Sequence, residues 1–286
     1  MFIHTYQNPE AFLTRVQPTL LTEEVKNSLI LGIAHRLQKF PTDYHTPYLA
    51  TIEDEQNLLL VALITPPFNL VLAAQDDKHE AAMLTLIRYI RAHQWPIPGV
   101  RASVPLADHF VRLWTEQTGE QVQLTMGQRT FELTQVISPP PVPGHFRLAV
   151  EAEHDLLTRW TTAFMAEALN DTHGEDVPQA TLNRIRAGDL FVWESDTGQV
   201  VSMAERVRPI INVITIALVY TPPELRGKGY ATNCVAALSQ HLLNSGWAIC
   251  SLTTDLANPT SNHIYQRIGY RPVCDFNGYR FDTNLS

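Results

Sequence analysis

Six consecutive residues, Arg226-Gly227-Lys228-Gly229-Tyr230-Ala231, set two cationic side chains beside two glycines one position apart. The preceding run, residues 211–219 (INVITIALV), is dense in β-branched side chains and reads as a buried strand. Pro222 and Pro223 must end it, because neither can donate to a ladder. Beyond the glycines, Ala231, Val235, Leu238 and Leu242 recur at helical spacing. A strand, a glycine turn and a helix in that order converge backbone N–H groups on one point. The helix adds the positive end of its dipole, so the turn suits a phosphate or diphosphate. A Walker loop is excluded, since Lys228 is followed by Gly229. The dinucleotide fingerprint remains an alternative, but Thr232 replaces its third glycine and residues 225–254 hold no acid to bind a ribose.

Residues 219–231 resemble the diphosphate loop of the GNAT superfamily of N-acetyltransferases, whose signature is Gln or Arg, two residues, Gly, one residue, then Gly or Ala. A second element supports the likeness. In residues 255–270 an asparagine, Asn258, closes the next strand, a helix carries Asn262 and Tyr265, and Gly269-Tyr270 ends it. The resemblance covers roughly residues 144–281. It implies that acetyl-CoA lies between two splayed strands, its pantetheine arm along the backbone of Val219, Tyr220 and Thr221. An amide there would also steady the oxyanion of the thioester carbonyl. Arg226, Gly227, Lys228, Gly229, Tyr230 and Ala231 would hold the diphosphate. Asn258 and Asn262 would hydrogen-bond the arm, or merely cap the helix. Tyr265 stands where the family often has the general acid that protonates the departing thiolate; otherwise it is a packing aromatic.

An alkylamine has a pKa of about 10.4, so a neutral nucleophile must be generated at the site. The resemblance points to Glu205, acting directly or through water, although Arg206 and Arg208 could make it an ordinary surface ion pair. His263 and His173 are lesser candidates. Asp171, Glu175 and Asp176 fall where the family walls its acceptor site; they would favour a cationic acceptor, or form a solvated acidic loop. The implied activity is acetyl transfer from acetyl-CoA directly to a primary amine on a small molecule or peptide, without a metal. A non-catalytic acyl-CoA sensor or scaffold is the competing class.

The surrounding chain must position these groups. Its 286 residues suffice for two domains of ordinary size, and 45% apolar content supports full cores. A formal net charge of −8 argues against nucleic acid as a partner and suits a cationic substrate. Cys234, Cys250 and Cys274 form no C-x-x-C pair and read as reduced core residues. Residues 1–10 lack the character of a signal peptide and no run approaches a membrane span, so a cytoplasmic protein is expected. Residues 139–144 hold four prolines and predict a semi-rigid linker over 138–144, separating domains at 1–137 and 145–286.

The expected fold is α+β, a mixed sheet flanked by helices, with the first half a worn copy of the second or, alternatively, an unrelated α+β domain. Strands at 48–53, 58–66 and 69–74, a helix at 79–93, a strand at 100–104 and a helix at 106–118 precede a hairpin predicted around Gly127 at 121–133. The second half has an opening strand at 146–150 and helices at 155–169 and 178–187. It then repeats the order with strands at 190–194, 200–207 and 211–219, the helix after the glycine loop, a strand at 247–253, another helix, and a strand from Tyr270. Leu106-Ala107 precedes Gly119, and Leu256-Ala257 precedes Gly269, by the same 13 positions. Aligning those glycines puts Thr115, Arg112 and Asp108 in place of Tyr265, Asn262 and Asn258. Where a glycine loop would lie, the first half has Asp76-Asp77-Lys78, which would repel a diphosphate. Cofactor binding is expected in the second half alone.

Overall fold

In the computed structural model, which describes residues 1–40, 46–55, 57–75, 79–169 and 176–282, two runs of elements follow one another in the same order. The first is β1 (Phe2–Tyr6), α1 (Pro9–Leu20), α2 (Ser28–Lys39), β2 (Tyr48–Glu53), β3 (Leu58–Ile64), β4 (Leu70–Ala73), α3 (Glu80–Ala92), β5 (Gly99–Ser103), α4 (Val104–Thr118) and β6 (Gln121–Leu133). The second is β7 (His145–Leu148), α5 (His154–Phe164), α6 (Val177–Ala187), β8 (Leu190–Glu194), β9 (Val200–Val207), β10 (Val213–Tyr220), α7 (Tyr230–Asn244), β11 (Ile249–Asp255), α8 (Pro259–Arg267) and β12 (Arg271–Asp282). The architecture is α+β, and the internal repetition extends to β1, α1 and α2, which the sequence pattern had not marked. Among the described residues no helix is long and apolar enough to cross a membrane.

The chain divides into two compact units, Met1–Thr130 with residues from Val273 onward, and Phe131–Pro272. In the first unit the strand order is β1-β2-β3-β4-β5-β12-β6; β4 and β5 run parallel, and β5 and β12 antiparallel, with Phe276 opposite Ser103 and Arg280 opposite Gly99. The central strand β3 (LLLVALI) is buried along its whole length, as a strand covered on both faces must be. Phe281 of β12 enters this unit's core and stacks on Trp114 at 4.8 Å between ring centroids. In the second unit the order is β7-β8-β9-β10-β11, with β6, whose Phe131 and Leu133 belong to this unit's core, next to β11. Helices α5 and α6 pack on one face of that sheet around Leu218, Tyr220 and Met203; α7 packs on the other around Ile214, Ile216 and Ala204.

Two expectations are corrected here. Residues 121–133 form one 13-residue strand rather than a hairpin, because Gly127 is not among the glycines with positive φ and the strand continues through it. The proline run is not a free linker at a domain boundary. The second unit starts at Phe131, and the carbonyls of Pro140 and Pro143 accept hydrogen bonds from Asn233 Nδ2 (3.2 Å) and Trp193 Nε1 (3.1 Å). Val142 packs against the second core, and the Ile137 N–H donates to the Ile268 carbonyl at 2.9 Å. Four proline rings cannot join a ladder, but their carbonyls can still accept, so the segment is bound as extended chain.

Because β12 supplies the first unit's core, Phe281→Ala should lower stability by about 3–5 kcal/mol, measured by urea unfolding of the full chain. A cost below about 1 kcal/mol would mean that the strand is not built into that core.

Candidate active site

Strand β10 carries the geometry on which the site rests. Its parallel pairing with β11 covers only Val213 with Ile249, Ile214 with Cys250 and Thr215 with Ser251, whose hydroxyls meet at 2.9 Å. Beyond Thr215 the strands have no register with each other, although β10 runs on to Tyr220 and β11 to Asp255. On the other side, the register with β9 passes from Ala217 opposite Glu205 to Tyr220 opposite Met203. That leaves one extra residue in β10, a bulge, and Leu218 takes φ +50° to accommodate it. The bulge turns the end of β10 away from β11. The strand end is then held in place: Ser202 Oγ donates to the Tyr220 carbonyl at 3.2 Å and Thr221 Oγ1 donates to Ser202 Oγ at 2.9 Å, both buried. Val219, Tyr220 and Thr221 therefore line an open strand edge.

The glycine turn follows directly. A short 3₁₀ segment, Pro223–Leu225, leads to Arg226 in an extended conformation, and Gly227 and Gly229 take φ +78° and +83°. These left-handed values alternate with Lys228 and Tyr230 to curl the backbone into a cradle at the start of α7. A Cβ at Gly229 would stand 3.0 Å from Val142 Cγ1, so the proline segment supports the loop from behind. A Cβ at Gly227 would meet nothing within 4 Å, so that side is open to a ligand. Tyr230 and Ala231 open the helix, and Asn233 fixes the turn by donating to the Gly229 carbonyl at 3.1 Å.

Arg226 is half exposed but folded back onto the chain. Its Nε donates to the Thr221 carbonyl at 2.8 Å, its Nη2 reaches Glu167 Oε2 at 2.7 Å, and its guanidinium lies 5.6 Å from the Tyr220 ring centroid. Tyr220 Oη donates to the other oxygen of Glu167 at 3.3 Å. Burial first, and the Glu167 charge second, raise the Tyr220 phenol above its ordinary value. Glu167 emerges from a π-helical turn, Met165–Leu169, that replaces the last turn of the helix expected over 155–169. Such turns re-aim side chains.

On the second strand, the turn into α8 is held by its asparagines. Asn258 N–H donates to the Asp255 carbonyl at 3.1 Å, and Asn262 Nδ2 donates to the carbonyls of Asp255 (3.1 Å) and Asn258 (2.9 Å). Asn262 Oδ1 is buried without a hydrogen-bond partner among the described residues. A buried acceptor left unmade costs free energy, and any hydrogen-bond donor that reached it would relieve that cost. Tyr265 is half-buried, edge-on to Tyr270 with centroids 6.0 Å apart, and Tyr270 is anchored through its hydroxyl to Ser239 Oγ at 2.9 Å. Burial pushes the Tyr265 phenol up to about 12, so it keeps its proton at neutral pH.

Glu205 and Met203 share the α5/α6 face of the sheet, on the side of Tyr220 and Glu167. Glu205 is buried and takes a hydrogen bond from Arg184 Nε of α6 at 3.1 Å. Its hydrogen-bonded ion partner is thus Arg184 of α6, which adjacency did not suggest, with the Arg208 charge also acting on it; Arg206 pairs with Asp189 at 2.9 Å. Desolvation outweighs the Arg184 charge and raises its carboxyl from 4.5 to about 7. His263 is exposed. Asp171, His173 and Glu175 lie outside the described residues, as do Asp76, Asp77 and Lys78; Asp176 caps α6 by accepting from the Gln179 N–H at 3.1 Å. In the first unit, the residues aligned with the site are otherwise engaged. Arg112 bridges Glu80 and Glu116, and Asp108 accepts from Tyr279 Oη at 2.7 Å.

Three groups that matter here escaped the sequence. Glu167 and Arg184 are a helical acid and base with nothing local to distinguish them, and the bulge at Leu218 is marked by no glycine.

A family model described as FR47-like protein matches residues 194–280. No curated protein matches the sequence significantly. Among solved structures, a GNAT-family acetyltransferase from Colwellia psychrerythraea aligns over 99% of this chain and 100% of its own at 14% identity, with a TM-score of 0.61. A GCN5-related N-acetyltransferase from Sphaerobacter thermophilus aligns over 98% and 95% at 12% identity, TM-score 0.63. The chain has the GNAT acetyltransferase fold. More particularly it is the tandem form, since a tandem GNAT protein from the clavulanic acid biosynthesis pathway aligns over 98% of both chains at 11% identity, TM-score 0.56.

The raised Glu205 pKa makes a signed prediction. The folded state holds a proton there between about pH 4.5 and 7 that the unfolded chain has lost, so this group makes stability fall as pH rises through that window. Glu205→Gln removes the dependence. The stability of the variant relative to the parent should therefore increase by roughly 2–3 kcal/mol from pH 4.5 to 7, followed by urea midpoints across pH. A constant difference would mean that Glu205 ionises normally.

Proposed function

We propose that this chain is an acetyl-CoA-dependent N-acetyltransferase that acts on a primary amine by direct transfer, through the second unit alone. The observation that carries the reading is the parting of β10 from β11 immediately before a glycine turn at a helix start. One open strand edge and one anion cradle are there in line. The diphosphate would lie on the N–H groups of residues 227–231, with Arg226 and Lys228 adding charge. The pantetheine arm would run along Val219, Tyr220 and Thr221, and its amide N–H would satisfy Asn262 Oδ1. Asn258 shapes the turn that presents that oxygen.

Acetyl-CoA supplies the activated thioester, and the protein supplies position and proton transfer. A backbone N–H at the bulge would steady negative charge on the thioester carbonyl oxygen. Tyr265, protonated at neutral pH, gives its hydroxyl proton to the departing sulfur, and its phenolate recovers the second proton that the nitrogen sheds as the amide forms. Glu205, with a pKa of about 7, takes a proton from the ammonium, directly or through water. This tuning favours catalysis over a purely sensory role, because a carboxyl near 7 is matched to moving protons at that pH. The acidic net charge suits an amine acceptor rather than nucleic acid or a membrane. That no disulfide joins Cys234, Cys250 and Cys274 among the described residues accords with a cytoplasmic location.

Release of free thiol from acetyl-CoA across a panel of amino acids, polyamines, aminoglycosides and peptide N-termini tests the activity; acetyl-CoA binding with no turnover on any amine would favour the sensor. Gly229→Asp should weaken acetyl-CoA at least about tenfold by calorimetry, and unchanged affinity would remove the loop from the site. Tyr265→Phe should lower kcat by about tenfold to a thousandfold where chemistry limits the rate. An unchanged kcat would take Tyr265 out of the mechanism.

A further inference from the structure

The contact between Glu167 and Arg226 joins two sides of the proposed reaction. Arg226 opens the anion cradle, whereas Glu167 sits at the end of α5, over the sheet face that holds Glu205. Both oxygens of Glu167 are taken, one by Arg226 Nη2 at 2.7 Å and one by Tyr220 Oη at 3.3 Å. Both ionic partners are nearly half exposed, 46% each, so water screens the pair and it shifts equilibria only a few fold. A diphosphate bringing several negative charges onto the cradle would outcompete a single carboxylate for that guanidinium. The π turn at Met165–Leu169 is the local distortion that aims Glu167 at this point instead of along the regular helix. Beside it, Trp160 and Phe164 of α5 pack in the cluster that contains Tyr220, with the Trp160 and Tyr220 rings 6.0 Å apart.

We infer that Glu167 is the anionic contact for the acceptor's ammonium group, withheld by Arg226 until the cofactor's diphosphate draws that guanidinium away, and that the preferred acceptor is a primary amine on an apolar or aromatic arm. This rests on the acetyltransferase reading. The cofactor and the amine each break the same contact, so each removes a cost for the other. By linkage their binding is mutually favourable, by the same factor in both directions. Glu167 then selects and places the acceptor, while deprotonation belongs to Glu205.

Calorimetry with CoA and with phenethylamine as the probe amine tests this on the full chain. In the parent protein, saturating CoA should tighten phenethylamine about two- to fivefold. Glu167→Gln should bind CoA about two- to fivefold tighter than the parent, bind phenethylamine at least about tenfold more weakly in the presence of CoA, and lose the coupling between them. Glu167→Asp should retain part of the amine affinity. Phenethylamine affinity indifferent to CoA in the parent, or CoA affinity unimproved in Glu167→Gln, overturns the inference and leaves the acetyltransferase reading standing. Failure of the parent to bind CoA at all overturns both.

Discussion

A single surplus residue in β10 is the constraint from which the second unit takes its form. Parallel strands that continued in register from Thr215 would satisfy each other's backbone groups and leave no gap. The insertion at Leu218 shifts the strand against β9 and turns its end outward, at the expense of a leucine in the left-handed region. Such a conformation is held only where its surroundings over-determine it. Here Leu218 is buried in one cluster with Leu157 and Trp160 of α5 and Ile185 of α6, and just past it the Ser202 hydroxyl binds the Tyr220 carbonyl while Thr221 donates to that hydroxyl. Backbone strain, buried hydroxyls and an open edge form one device.

The two faces of that sheet divide the work. On the α7 face lie apolar residues and the buried thiols of Cys234 and Cys250, both pushed up to about 12 by burial and so inert. On the α5/α6 face charged and ionisable groups are gathered: Glu205 with Arg184, and Tyr220 with Glu167 and Arg226. Alternation along β9 separates Met203 and Glu205 from Ala204, but in β10 the bulge does the sorting: Ile214 and Ile216 face α7, and the extra residue carries Leu218 and Tyr220 to the opposite side. The first unit repeats the element order but closes the equivalent positions with ion pairs such as Arg112 with Glu80.

The sequence made legible whatever is written in local chemistry. The glycine turn, the asparagines at 258 and 262 and Tyr265 all occupy elements expected from spacing, and the α+β fold with its internal repeat follows from the order of apolar runs. Other features depend on distant residues. Nothing near Glu205 in sequence points to Arg184, and nothing near Arg226 points to Glu167, because both partners come from helices that only the tertiary fold brings there. The proline run looked like a spacer because proline cannot donate, yet its carbonyls bind Asn233 and Trp193. The opening elements β1, α1 and α2 went unread because their hydrophobic pattern has no chemical landmark to set its register.

The placement of the last strand has a bearing on how the molecule is made. Tyr279 and Asp108 meet across 171 positions of the chain, and Phe281 completes a core whose other buried members, among the described residues, all precede residue 115. During translation the amino-terminal half therefore emerges lacking one of its strands, with β5 unpaired on that side while some 150 further residues are added. The nascent protein must tolerate this exposed edge, or shelter it on a chaperone, until β12 itself has been translated.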